Sequence, residues 1–252
     1  MVPLPAVVEF VPGKAARRAE KRAYRGMIRL FGRPVEQPPP SAAAAVILVP
    51  GFISGDVSLA MLARHLRRLG HRTFRSEMGA NVGCTDAMVE RLVRRAELVA
   101  ADEGRRVILV GHSRGGMIVK LAAQRRPDLI CGIVVLSAPV TGSLSVAAHV
   151  RRQLELLFRL NRRGFSTVIG QDCVSGDCAV RTVAELEAPF PAGVGYVSVY
   201  SRTDAIIDWR TCLDPAAEQV EVTCSHTGMG IDPTVHRVVA ARLAAFASPA
   251  TA

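Results

Sequence analysis

Ser113, Asp204 and His226 are three residues whose types could form one nucleophilic site, and each follows an apolar run. Ser113 stands in Gly111-His112-Ser113-Arg114-Gly115, a G-x-S-x-G spacing directly after the apolar stretch Val107 to Val110. That spacing suits a sharp strand-to-helix turn that lifts a serine oxygen clear of a sheet, with small residues on either side so that neighbouring backbone can pass. The helix that follows aims its free N–H groups at the same point and favours negative charge there. A serine hydroxyl attacks only when a base accepts its proton, and the oxyanion that forms needs hydrogen-bond donors.

The base must come from six histidines. His65 and His71 flank an early helix and strand. His112 lies inside the turn and is expected to point to the wrong side of Ser113. His149 falls in an interruption of the strand pattern, and His236 in the last helical stretch. His226, in Ser225-His226-Thr227-Gly228, alone sits in a loop at a strand end after both Ser113 and an acid. The acid is expected to be Asp204, in the turn beyond the run Tyr196 to Tyr200. Asp208 is the alternative and is better placed to cap a following turn. One oxyanion donor is expected from the backbone N–H of Arg114. The other should come from the loop that turns at Gly51, with Phe52 the choice and Ile53 the second choice.

The elements that must hold these residues alternate. The runs Ala45–Val49, Val107–Val110, Cys131–Leu136, Tyr196–Tyr200 and Gln219–Val222 read as strands. Between them lie helical periodicities, with Leu59, Leu62, Leu66 and Leu69 on one face and a second amphipathic stretch from Thr85 to Glu103. Thr85 is the expected N-cap of that second helix, and Gly104 follows its end. Such alternation implies an α/β fold with a mostly parallel central sheet and helices on both faces. Ligands in such sheets bind beyond the carboxyl ends of the strands, where the three residues stand.

The chain has 252 residues, 49% of them hydrophobic and 21% charged, so one large domain with a full core is expected. Residues 1–41 read as a basic helix (from about residue 14 to 31) followed by a stiff Pro-rich linker, Glu36 to Ser41. The body is expected over 42–252. Its sheet pattern breaks between Val140 and Phe190, and the insertion, about 140–191, follows a strand end and is expected to lie over the site as a small helical cap. Within it Ser145 to Arg163 reads as an amphipathic helix, with Val146, Val150, Leu154, Leu157 and Phe158 on one face and arginines on the other. Such a face suits an apolar acyl chain, and the basic side a membrane surface; packing on its own domain is the competing reading.

The net charge of +10 invites a nucleic-acid partner, but the charge is nearly all arginine, scattered over many helices and diluted by acids. No nucleic-acid-binding motif accompanies it, so none is expected, and weak contact with anionic lipid is the remaining electrostatic partner. No specific protein partner is implied. The first residues lack the order of a secretory signal, which favours a cytoplasmic protein, peripheral to a membrane at most. Six cysteines are then expected as thiols, with a Cys173–Cys178 bridge as an open alternative. The spacing of the others shows no metal-ligand pattern, so neither a metal site nor a cofactor is expected.

Taken together, "GHSRGG", "YSRTDAIIDW" and "SHTGMGIDP" resemble the α/β-hydrolase superfamily from about Ala45 to Phe246. Within it they resemble small bacterial lipase- and esterase-like enzymes, especially actinobacterial ones. The order serine, acid, histidine is the one that fold uses. The resemblance implies a serine hydrolase of apolar carboxylic esters, small-molecule or lipid. In it Ser113 is the nucleophile, Asp204 the orienting acid and His226 the base. An acyltransferase or thioesterase with the same residues, or a silent binding member of the fold, are the alternatives. One departure is Pro50-Gly51, where many relatives carry His-Gly.

Overall fold

A computed structural model of the protein describes residues 8–29, 38–39, 43–142 and 145–247. Most of the Pro-rich linker lies outside the described residues. The elements, in chain order, begin with β1 (Val8–Phe10) and α1 (Lys14–Arg29), then β2 (Ala45–Val49), α2 (Ala60–Arg68), β3 (Arg72–Arg75) and α3 (Thr85–Glu103). The middle of the chain holds β4 (Val107–His112), α4 (Arg114–Arg125), β5 (Ile130–Leu136), β6 (Ser145–Ala147) and α5 (Ala148–Arg162). It closes with α6 (Asp172–Ser175), α7 (Asp177–Glu187), β7 (Gly195–Tyr200), β8 (Glu218–Glu221) and α8 (Pro233–Ala247).

Six strands form one sheet in the order β3-β2-β4-β5-β7-β8, and every neighbouring pair is parallel. The α/β fold with a parallel sheet is thus present as expected. Its central strands are buried on both faces, which explains why they read as continuous apolar runs and not as alternating ones. One core layer packs α3 and α4 against Ile47, Leu109, Ile133 and Val135; the other packs α2 and α8 against Val46, Ile108, Val134 and Val197. Among the described residues no helix is long and apolar enough to cross a membrane.

Two local expectations need correction, and one open alternative is not formed. The N-cap of α3 is Cys84, not Thr85; the Thr85 hydroxyl instead accepts a hydrogen bond from Arg114. The stretch 145–163 is not one helix, because Ser145–Ala147 pairs in parallel with Val8–Phe10 and α5 starts only at Ala148. All six cysteines are free, so there is no Cys173–Cys178 bridge; the Sγ of Cys178 lies 3.7 Å from that of Cys84.

Segments β6, α5, α6 and α7 fill the interval between β5 and β7, which remain adjacent in the sheet. Both ends of that interval are fastened from below by Lys120 of α4. Its buried ammonium donates to the carbonyls of Val140 (3.0 Å) and Leu186 (2.7 Å) and to Asp214 Oδ2 (2.5 Å). Tyr196 donates to the same carboxylate oxygen at 3.1 Å, so the buried charge is paired and hydrogen-bonded.

Candidate active site

Ser113 joins β4 to α4 with φ 54° and ψ −127°, a left-handed conformation that costs a non-glycine residue about 1–3 kcal/mol. The surrounding glycines make that turn sterically feasible. A Cβ on Gly111 would lie 2.4 Å from the Gly115 carbonyl oxygen, and one on Gly115 would lie 2.4 Å from the oxygen of Val49. Neither approach is compatible with a side chain. The Ser113 N–H donates to Leu136 O at 2.8 Å, which ties the strained residue to the adjacent strand.

His226 and Asp204 meet beyond the ends of β8 and β7. Nδ1 of His226 stands 2.7 Å from Asp204 Oδ2, and both side chains are almost wholly buried. The other oxygen of Asp204, Oδ1, accepts the backbone N–H groups of Ile206 (2.7 Å) and Ile207 (2.9 Å). Burial alone would raise the Asp204 carboxyl, but His226 and these two N–H groups outweigh it and hold it below the usual carboxylate range. Burial likewise opposes a charged His226, yet the Asp204 carboxylate, with Glu20 adding to it, holds the imidazole above the ordinary histidine value. Asp208 does something else: it caps the turn Trp209–Cys212, accepting the Arg210 N–H at 3.0 Å.

One cavity of about 280 Å³ contains Ser113 and His226 in its lining, together with Gly51, Phe52 and Arg114. Its other walls are mainly apolar, with Met117 from α4, Val150 and Leu154 from α5, Val183 from α7, and Ile206 and Ile207 beside Asp204. The loop at Gly51 abuts the serine closely: a Cβ there would lie 3.1 Å from Ser113 Cβ. Among the described residues no hydrogen-bond acceptor takes the backbone N–H of Phe52 or of Arg114. Ile53, the second choice, is itself held at φ 57° and is exposed.

His112 does not face away from the site. It lines the cavity, its ring centroid lies 4.7 Å from that of His226, and its Nε2 is 3.0 Å from the His226 carbonyl oxygen. Burial and the neighbouring His226 push its pKa down to about 3, so it stays neutral wherever the protein would work. His149 also lines the cavity, whereas His236 binds Gly230 O and packs against His65.

Three features of the site escape a sequence reading. Glu20 of α1 takes the backbone N–H groups of His226 (2.9 Å) and Thr227 (2.6 Å), and Tyr24, one turn further on, lines the cavity. The one available signal is that Glu20 is the sole acid of a basic helix. The Arg114 side chain, buried beneath the turn, donates to Asn81 O and Gly83 O (both 2.7 Å), while Asn81 donates to Pro50 O at 2.7 Å. That chain of bonds connects the serine turn to the Gly51 loop. Finally, the sulfurs of Cys84, Cys173 and Cys178 lie within 4.8 Å of one another beside the cavity, although no spacing in the sequence marks them as a set.

Residues 46–252 match the model of the Alpha/beta hydrolase family. The chain is similar to Esterase PIR7B of Oryza sativa subsp. japonica, at 36% identity over 101 residues, 36% of this chain and 37% of that protein. It thus spans just over a third of that relative's length. Among solved structures, it is similar to the mature form of Bacillus licheniformis lipase BlEst2 (TM-score 0.64, 14% identity, 84% of this chain and 96% of that one). The Bacillus subtilis carboxylesterase CesB is a further fold neighbour (TM-score 0.55, 16% identity, 90% and 98%). With the family match running from β2 through the last helix, the chain belongs to the α/β hydrolase family.

Proposed function

We propose that the protein is a serine hydrolase that cleaves carboxylic esters with apolar acyl chains. The observation that carries this reading is Ser113, strained at the strand-to-helix turn, sharing one cavity with an imidazole whose far nitrogen is bonded to a buried carboxylate. In this reading His226 removes the proton from Ser113 Oγ as the oxygen attacks the ester carbonyl. Asp204 fixes the tautomer and stabilises the imidazolium. The N–H groups of Phe52 and Arg114 receive the oxyanion. His226 then protonates the leaving alcohol, and water activated by the same imidazole releases the acid and restores Ser113. No cofactor enters these steps.

The esterase name of the rice relative supports ester hydrolysis, and the apolar walls support an acyl chain in place of a charged group. On the same reading residues of about 140–191 act as a cap, because α5, α6 and α7 all supply lining side chains. A fluorophosphonate probe tests the nucleophile. Wild-type protein should label at one residue and Ser113→Ala should not; labelling that survives the substitution rejects the assignment. A series of nitrophenyl esters tests the substrate class, with medium acyl chains expected to be cleaved faster than acetate.

A further inference from the structure

The three sulfurs beside the cavity come from separate parts of the chain. Cys84 caps α3, Cys173 lies in α6 and also lines the cavity, and Cys178 is the second residue of α7. All three lie within 4.8 Å of one another, and the Cys84–Cys178 separation is 3.7 Å. A tetrahedral zinc with Zn–S bonds of about 2.3 Å holds its sulfurs about 3.8 Å apart. Half-buried and buried positions shelter the set from bulk water.

The cluster sits where backbone and a buried cation converge. Cys84 is the residue before the first turn of α3, so the cluster lies at the amino end of a 19-residue helix. The amino end of a helix favours negative charge beside it. Behind the cluster lies the buried Arg114 guanidinium, whose four hydrogen bonds go to Asn81 O, Asn81 Oδ1, Gly83 O and Thr85 Oγ1. Among the described residues no carboxylate forms an ion pair with it, and two of those bonds go to Gly83 and Thr85, the residues on either side of Cys84. A buried cation without a carboxylate calls for negative charge nearby. Three thiolates around a divalent ion carry one net negative charge, which matches one guanidinium.

We propose that Cys84, Cys173 and Cys178 form a three-thiolate site for a thiophilic divalent cation of the zinc and cadmium class, tying α6 and α7 to the start of α3. Soft sulfur ligands without a carboxylate select such ions over magnesium or calcium. Binding exchanges thiol protons for the metal: each cysteine that ligates loses its S–H proton to solvent, and no electron is transferred.

Cadmium is the probe, because thiolate-to-cadmium charge transfer absorbs in the ultraviolet. Titration of the reduced full chain should saturate at one ion per protein and protect three of its six cysteines from a thiol reagent. Cys84→Ser, Cys173→Ser and Cys178→Ser should each weaken binding at least tenfold, and Cys131→Ser should leave it unchanged. Folding of each variant is checked by circular dichroism. Cys173, only half-buried and in a four-residue helix, keeps the test decisive if the buried Cys178 variant misfolds. Absence of a charge-transfer band in the folded protein, or a band undiminished in Cys173→Ser, overturns the proposal. Ester hydrolysis plays no part in this readout, so the two readings fail separately.

Discussion

Glu20 Oε2 accepts the backbone N–H of His226 at 2.9 Å across 206 residues of chain, and Glu20 Oε1 takes the next N–H, that of Thr227. One carboxylate thus caps the short turn Thr227–Gly230 that presents the imidazole, and its charge also favours the protonated ring. Glu20→Gln keeps an acceptor but removes the charge and opposes one N–H with an amide donor. We expect kcat/KM on a nitrophenyl ester to fall about tenfold, the scale of one lost cap. The acid limb of its pH profile should move to lower pH. A purely structural role would lower activity without moving that limb.

The acid limb in the wild-type protein follows from His226. Only the neutral imidazole can take the serine proton, and Asp204 holds its pKa above the ordinary histidine range despite burial. Activity should therefore fall, as pH decreases, through a midpoint above about 6.5. Stability responds with the opposite sign. A raised folded pKa stabilises the protein fully below the unfolded value, and that contribution is lost as pH rises through the folded one. Asp204→Asn should lower the His226 pKa and reduce kcat by roughly 10³–10⁴-fold, as measured in steady-state assays across pH.

Gly115 should not accept a side chain. A Cβ there would sit 2.4 Å from Val49 O and 2.5 Å from Pro50 O, both backbone atoms of the strand and loop beside the serine. Gly115→Ala is expected to destabilise the protein by about 3 kcal/mol or more, since neither oxygen can move without shifting β2. Urea unfolding should show a lower midpoint, and the surviving folded fraction should label poorly with fluorophosphonate.

Lys120→Met should cost more stability than its size suggests. It leaves the buried Asp214 carboxylate without its ammonium and the Val140 and Leu186 carbonyls without a donor. A loss of about 3–5 kcal/mol is expected. The double variant Lys120→Met/Asp214→Leu should recover part of it, which chemical denaturation of all three proteins would measure.

Sequence carries the fold well where local signals accumulate. Buried parallel strands announce themselves as short apolar runs, and the turn residues after them locate Ser113, Asp204 and His226 in the chain. It carries little where contacts are distant. The three-residue ladder of β1 with β6 has too few residues to show a period, so Ser145–Ala147 reads as the start of a helix. Glu20 looks like one charge on a solvated face until α1 is laid beside the His226 loop. The cysteine set depends on two short helices folding onto the start of α3. His112 misleads for another reason: it ends β4, paired with Leu136, and its ring meets the His226 loop, which is 114 residues away in the chain.

The short strand β6 is held from two sides. It pairs with β1, and it is also stitched to the loop after Asp204, through Ala147 N–H to Ile206 O (2.8 Å) and Asp208 N–H to Ser145 O (3.1 Å). The amino end of α5 is thus a fixed pivot, while its far end runs into Gly164, whose φ of 99° only glycine adopts freely. A movement of α5 that widened the cavity would be expected to pivot at its amino end and leave the carboxylate–imidazole pair in place. On the proposed reading of these residues as a cap, substrate would enter past the carboxyl end of α5, away from the strand bonded to the loop after Asp204.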